Sequence, residues 1–117
     1  MNQKQANEFA AEWIEAWNAH DIDRILSHYA DDFEMNSPVI AKQLAVPSGT
    51  LKGKGAIREY WQSALRAYPD LSFELLKVLQ GVSWVTLYYL GATDKAVAET
   101  FLFDGNGKVT QVFASYA

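Results

Sequence analysis

The chain predicts an α+β fold, with helices first and an antiparallel sheet bent against them afterwards. Three observations predict it. Apolar residues recur at helical spacing in two long stretches, Phe9, Ala10, Trp13, Ile14 and Trp17, and then Ile57, Tyr60, Trp61, Ala64, Leu65 and Tyr68. From Leu71 onward the period changes to that of strands. Three turn-forming clusters divide this second region into hairpins: Gln80-Gly81, Gly91-Ala92-Thr93-Asp94 and Asp104-Gly105-Asn106-Gly107.

The first helix is expected from about Gln3 to Asn18, with Gln5, Glu8, Glu12 and Glu15 opposite the apolar stripe. Trp13 and Trp17 bring large apolar area and one N–H donor each, which suits core packing and cavity lining alike. The stretch Trp17–Pro38 then organises the chain. Asn18-Ala19-His20-Asp21 breaks the helical pattern, and the Asp21 carboxylate can cap the next helix. Ile22, Ile25, Leu26 and Tyr29 recur at helical spacing, and Asp31-Asp32 ends that run before Phe33 opens the first strand.

Residues 37–54 are punctuated by Pro38, Pro47, Ser48-Gly49 and Gly53-x-Gly55, too long for a simple connection. Val39, Ile40, Leu44, Ala45 and Val46 are apolar enough to pack on the body through a short strand or a turn of helix. A lid and an ordinary packed loop both fit this pattern. The third helix carries Arg58, Glu59, Gln62, Ser63 and Arg66 on its polar side, follows Gly55 and stops at Pro69. Strands are expected at about 71–80, 82–91, 95–104 and 108–116. In the second of these, Trp84, Thr86 and Tyr88 alternate with Val85, Leu87 and Tyr89, so both faces are apolar. Helices cover only one face, which predicts a homodimer through the other.

Composition bounds the function classes. A length of 117 residues predicts one domain, 1–117, and half the residues are hydrophobic, enough for a core. No apolar run approaches the roughly 20 residues that cross a bilayer, and no signal peptide is apparent, so neither a membrane role nor export is expected. The absence of cysteine excludes disulfides, thiolate metal sites and cysteine nucleophiles; a cytoplasmic setting is the simplest reading. A net charge of −4, with Lys52-Gly53-Lys54 as the nearest thing to a basic patch, argues against nucleic acid as a partner. Asp31-Asp32 has no histidine at ligand spacing and reads as a solvated helix end, so no metal is expected.

The run W-N-A-x-D-x-D, then Y-A-D-D-F, G-x-x-A-I-R-E-Y-W and F-x-F-D-G-x-G-K-V resembles the nuclear transport factor 2-like superfamily, in particular its SnoaL-like and ketosteroid isomerase-like members. The resemblance runs from about Ala11 to the end and implies a cone-shaped half-barrel. In that fold a curved, mostly antiparallel sheet packs on three N-terminal helices around a deep pocket. Members include isomerases, dehydratases, epoxide hydrolases, polyketide cyclases and non-catalytic binding modules. Laid against ketosteroid isomerases, the oxyanion-hole tyrosine falls at Trp13 and a supporting tyrosine at Trp61. The general-base aspartate falls at Ser37, beside Asn36, and the second oxyanion donor at Glu99. One carboxyl of that constellation therefore survives. The final strand has no acid of the cyclase kind. Arg24, Arg58 and Arg66 lie on polar helix faces, unlike the epoxide-hydrolase set. His20 falls in an interhelix junction and His28 in a short helix, unlike the dehydratase histidines.

Glu99 is the candidate catalytic residue. It shares strand parity with Val97, Phe101 and Phe103, and a carboxyl among apolar side chains should have its pKa raised and serve as an acid near neutral pH. A slipped register would instead leave it on the outer face or paired to a lysine. Trp13 and Trp61 are expected to aim N–H groups toward it. The other candidates for a lining that binds a small apolar molecule are Tyr29, Asn36, Trp84, Thr86, Tyr88, Val112, Ala114 and Tyr116. No cofactor is implied. Two functions fit: proton-transfer chemistry of isomerase, cyclase or dehydratase type with Glu99 as acid/base, and non-catalytic binding by the same pocket. A protein-interaction role for the dimer is a third and weaker fit.

Overall fold

The computed structural model describes residues 1–117. Its elements are α1 (Gln3–Asn18), α2 (Ile22–Leu26), β1 (Tyr29–Asn36), α3 (Pro38–Gln43), β2 (Thr50–Lys52), α4 (Lys54–Ala67), β3 (Glu74–Gln80), β4 (Trp84–Leu90), β5 (Ala96–Phe103) and β6 (Val109–Tyr116). One open sheet runs in the order β2-β1-β6-β5-β4-β3. All neighbours are antiparallel except β1 and β6, which pair in parallel and bring the first strand against the last. The helices cover one face of this sheet, giving the α+β half-barrel that the sequence predicts.

Helix α1 starts with a capping box: Asn2 accepts from the Gln5 N–H, and the Gln5 side chain accepts from the Asn2 N–H. It ends in a Schellman turn. The Asp21 N–H bonds to Ala16 O and the His20 N–H to Trp17 O, with His20 in the left-handed region at φ 56°. The same junction then reaches across the chain. The Asn18 amide donates to Phe73 O (3.1 Å) and accepts from the Phe73 N–H (2.7 Å), while His20 Nε2 bonds to Leu71 O at 2.9 Å. Leu71 O is an acceptor only, so His20 carries its proton on Nε2. Asp21 caps α2 by accepting from the Arg24 N–H. The W-N-A-H-D run is thus a helix stop, a helix start and a clasp on the segment leading into β3.

Two expectations for this region need correction. Helix α2 ends at Leu26, so Tyr29 is not on its apolar stripe but is the first residue of β1. Asp31-Asp32 does not end a helix: both are exposed within β1, where pairing with β6 shifts register between Tyr29 and Glu34. The reason is tertiary. Val109 N–H bonds to His28 O and starts the β1–β6 ladder there, overriding a helical period only two turns long.

Segment 37–54 packs on the body and contains both α3 and β2, with Ile40 fully buried. Ser37 caps α3, its Oγ accepting from the Val39 N–H. Gly53 precedes α4 at φ 91°, a conformation that L side chains rarely adopt, and its N–H bonds to Phe33 O. Helix α4 stops before Pro69, as expected.

In β4 and β5, Leu87 faces Glu99 and Tyr89 faces Val97. Val85, Leu87, Tyr89, Val97, Glu99 and Phe101 all point toward the helices and are buried. Trp84, Thr86 and Tyr88 therefore lie on the opposite face, against the expectation that they line a cavity; Trp84 and Tyr88 are 44% and 40% exposed. The β4–β5 loop explains the reversal. Read as the four residues Gly91–Asp94 it would put Glu99 opposite Thr86, but it also includes Lys95. The Gly91 N–H bonds to Lys95 O, and Leu90 pairs with Ala96. One extra residue moves the partner set to the other face.

Candidate functional site

Between the concave face of the sheet and the helices lies a cavity of about 630 Å³. Trp13 and Trp17 of α1 and Tyr60, Trp61 and Ala64 of α4 form its helical wall. Tyr89, Val97, Glu99 and Tyr116 supply the sheet wall, and Leu71 and Phe73 join the two. Exposed residues, including Lys42 and Gln43 of α3, Tyr68 and the Ala92–Lys95 loop, mark its mouth.

Glu99 is the only acid in this lining and is 3% exposed. Tyr89 Oη donates to its Oε1 at 2.7 Å. Its other oxygen takes no partner from the chain, yet it is not among the sealed unpartnered atoms, which are Trp17 Nε1 and His28 Nε2. That oxygen therefore borders the cavity. Burial pushes the carboxyl up to about 7, against the smaller opposing effect of the Tyr89 hydrogen bond. The group thus changes charge near neutral pH. Tyr89 is held well above the usual phenol range, first by burial and then by the Glu99 charge, so it stays a donor. Tyr60 and Tyr116 are also raised, by burial and by neighbouring charge that includes Glu99. The Tyr60 hydroxyl bonds to no other group of the chain, so the cavity holds a free phenolic donor under the influence of the carboxyl.

An aromatic cage surrounds this centre. Trp13 stacks on Phe73 at 5.7 Å and meets Tyr89 edge-on at 5.4 Å; Trp17 meets Trp61 edge-on at 5.2 Å. Such contacts fix ring orientation as well as burying area. The clasp by Asn18 and His20 holds Leu71 and Phe73, and so connects the helix junction directly to the cavity wall.

The sequence candidates divide as follows. Trp13, Trp61, Glu99 and Tyr116 line the cavity. The Trp13 N–H does not serve Glu99, however: it donates to Tyr29 Oη at 2.8 Å, and Trp61 gives the carboxyl no bond either. Tyr29 is a buried support behind the wall rather than part of the lining, its phenol pushed up by burial. Val112 and Ala114 face inward as expected and are buried, but they pack in the core outside this lining. Asn36 corrects its expectation. It pairs with outward-facing Phe113, donates to Val112 O at 3.2 Å and accepts from Thr50 Oγ1 at 2.6 Å. Its amide tightens the β2-β1-β6 edge and faces away from the cavity. Thr86 is likewise committed outside, to Thr100 Oγ1 at 2.8 Å.

Two residues of the centre, Tyr89 and Tyr60, lie outside the set that the sequence predicts. Tyr89 faces the cavity only because the β4–β5 loop includes Lys95, which the turn chemistry of Gly91–Asp94 does not reveal. Tyr60 is visible on the apolar stripe of α4, about two helical turns before Tyr68, but a stripe does not show which ring has a free hydroxyl. The histidines stay away from the centre. His20 belongs to the clasp. His28 lies edge-on to Phe9 at 5.5 Å and outside the lining, its pKa pulled down by burial against the opposing Glu12 charge. The side chains of Arg24 and Arg58 pair with Glu12 and Asp23 on the surface.

An open, mostly antiparallel sheet curved over N-terminal helices is the cone of the nuclear transport factor 2-like superfamily. Within it the chain belongs to the SnoaL-like family, whose domain model matches residues 10–114. The crystal structure of a SnoaL-like protein of unknown function from Burkholderia thailandensis is 48% identical to it. That similarity covers 99% of this chain and 97% of the other, with a TM-score of 0.98. A candidate isomerase of the SnoaL-like family from Agrobacterium tumefaciens has a TM-score of 0.78 at 14% identity, over 98% of this chain and 99% of that one. A candidate polyketide cyclase from Streptomyces antibioticus has a TM-score of 0.78 at 16% identity, over 96% and 91%. At those identities the likeness is one of fold. Comparison with curated proteins finds no match. No helix is long and apolar enough to cross a membrane.

Proposed function

We propose that the chain binds a small, largely apolar molecule in this cavity and moves a proton on it, with Glu99 as the acid/base. The observation that carries this reading is the Glu99 carboxyl: buried, oriented by Tyr89, open to the cavity on one oxygen and titrating near pH 7. As a carboxylate it can take a proton from a carbon next to a carbonyl, while the Tyr60 hydroxyl hydrogen-bonds to the carbonyl oxygen as it gains negative charge. As a neutral acid it can then return the proton to another carbon, which is isomerase-type chemistry. The carboxyl and the phenol are the chain's own groups, and this cycle draws on no others. The cyclase and isomerase candidates of similar fold agree with such use of the fold in other chains.

Non-catalytic binding is the second reading, and Ser37 favours it. Where ketosteroid isomerases carry their base, this chain has a hydroxyl already occupied in capping α3. Small-molecule mass spectrometry of the purified protein, run beside the Glu99→Gln variant, separates the two. A ligand recovered unchanged from both supports binding alone; a product formed by the wild type but not by the variant supports catalysis.

The protein is also proposed to act as a homodimer through the outer sheet face, where Leu79, Trp84, Tyr88 and Phe113 are each at least 40% exposed. Sedimentation at micromolar concentration tests it, and a monomer there would count against it.

A further inference from the structure

The charges on the cavity wall go beyond what an uncharged apolar ligand requires. Only three ionisable acid or base side chains other than tyrosines line it: Glu99 at the floor, and Lys42 and Lys95 at the mouth. Acidic residues outnumber Lys and Arg by 14 to 10 in this chain. Lys4, Arg24, Lys52, Lys54 and Arg58 have carboxylate partners, whereas Lys42, Arg66, Lys77, Lys95 and Lys108 do not, and of these five only Lys42 and Lys95 line the cavity. They come from different elements, the last turn of α3 and the end of the β4–β5 loop, and they converge on one opening. Lys95 lies four residues before Glu99 on the way into β5, a separation of about 13 Å at the rise of a strand. Aromatic rings occupy the wall between the two levels.

We infer that the ligand is an apolar, ring-bearing organic acid, its anionic group held at the mouth by Lys42 and Lys95 and its ring body reaching toward Glu99. The inference rests on the ligand-binding reading above and assigns the chemical class of the ligand. Placing the anion at the mouth keeps it away from the Glu99 carboxylate and leaves the lysines partly solvated. Their contribution is then a screened attraction and a choice of orientation. An uncharged molecule could accept a hydrogen bond from either lysine but would gain no charge–charge attraction.

Two fluorescent probes of one ring system test this: 8-anilinonaphthalene-1-sulfonate and the same molecule without its sulfonate, N-phenyl-1-naphthylamine. Both are titrated into the full chain at low salt. The anionic probe should bind more tightly. Lys42→Gln and Lys95→Gln should each weaken it by about five-fold and the double variant by more than ten-fold, with binding of the neutral probe unchanged. Salt at about 0.5 M should reproduce the loss for the anion alone. Ala67→Trp, an exposed substitution at the mouth, should block both probes while the circular dichroism spectrum stays native. Equal binding of the two probes, or an anionic probe indifferent to both lysines, overturns this inference and leaves the ligand-binding reading standing. Failure of both probes to bind overturns the two together. An anionic probe still bound to Ala67→Trp lies elsewhere on the surface and also overturns the inference.

Discussion

The two faces of the β4–β5 hairpin are built from similar residues and do different work. Inward, Val85, Leu87, Tyr89, Val97, Glu99 and Phe101 are all buried beneath the helices. Outward, Trp84, Thr86, Tyr88, Thr100 and Leu102 remain partly or largely open. Tyr88 and Tyr89 are adjacent and chemically identical. Yet one is 40% exposed and the other is locked to a buried carboxyl at 2.7 Å. Hydrophobic character therefore does not tell the faces apart; register does.

The largest test removes an inward ring. Phe101 is fully buried and meets both Phe9 and Trp13 edge-on, so Phe101→Ala should cost about 3–5 kcal/mol in denaturant unfolding. Its outward neighbour Leu102, cut to Ala, should cost much less.

Glu99→Gln comes next and has a pH signature. The folded pKa of about 7 lies above the ordinary 4.5, so the folded state holds the proton more tightly than the unfolded chain. Stability from this group is fully present below about pH 4.5. It is lost as pH rises through about 7, and the total loss is about 3 kcal/mol. Glutamine keeps an acceptor for Tyr89 and carries no charge. The variant should lack this slope and be the more stable protein at pH 9, as unfolding curves at several pH values would show. Any activity found should show an inflection near pH 7 in the wild type and be lost with the same substitution.

Tyr89→Phe should cost about 1 kcal/mol and move the Glu99 pKa further upward, since the lost hydrogen bond favoured the carboxylate. Carbon-13 carboxyl NMR would follow the shift, and a downward move would contradict the bond's assigned role. The smallest effect belongs outside. Trp84→Gln should change the stability of the isolated chain by less than about 0.5 kcal/mol. If the outer face is a dimer interface, the same substitution should lower the sedimentation coefficient.

Much of this was legible in the sequence. The bounds of α1, the capping role of Asp21 and the stop before Pro69 follow from local chemistry that tertiary contacts reinforce. Glu99 could be placed because β5 runs Val97-x-Glu99-x-Phe101, with one clear apolar parity. Tyr89 could not, because β4 is apolar on both faces and only the count of residues in the Gly91–Lys95 loop chooses between them. Tyr29 matches a helical period with Ile22, Ile25 and Leu26, yet it belongs to β1. The β1–β6 ladder that claims it joins segments some 80 residues apart, beyond any local window. Asn36 looked like a pocket residue from its place in the chain, but its amide is taken by Val112 and Thr50, a pairing visible only once the strands are assembled.

The strand order has a consequence for the way the chain is made. β6, made after the other five strands of the sheet, lies between β1 and β5. Until residues 109–116 emerge, the early β1–β2 pair has no sheet to join, and the growing edge of β5 is bare. Helix α1 and the meander from β3 to β5 can associate earlier, through the Asn18 clasp on Phe73. On this order β6 is the splice between the β2-β1 edge and the β5-β4-β3 meander, and pairing across the sheet has to await it.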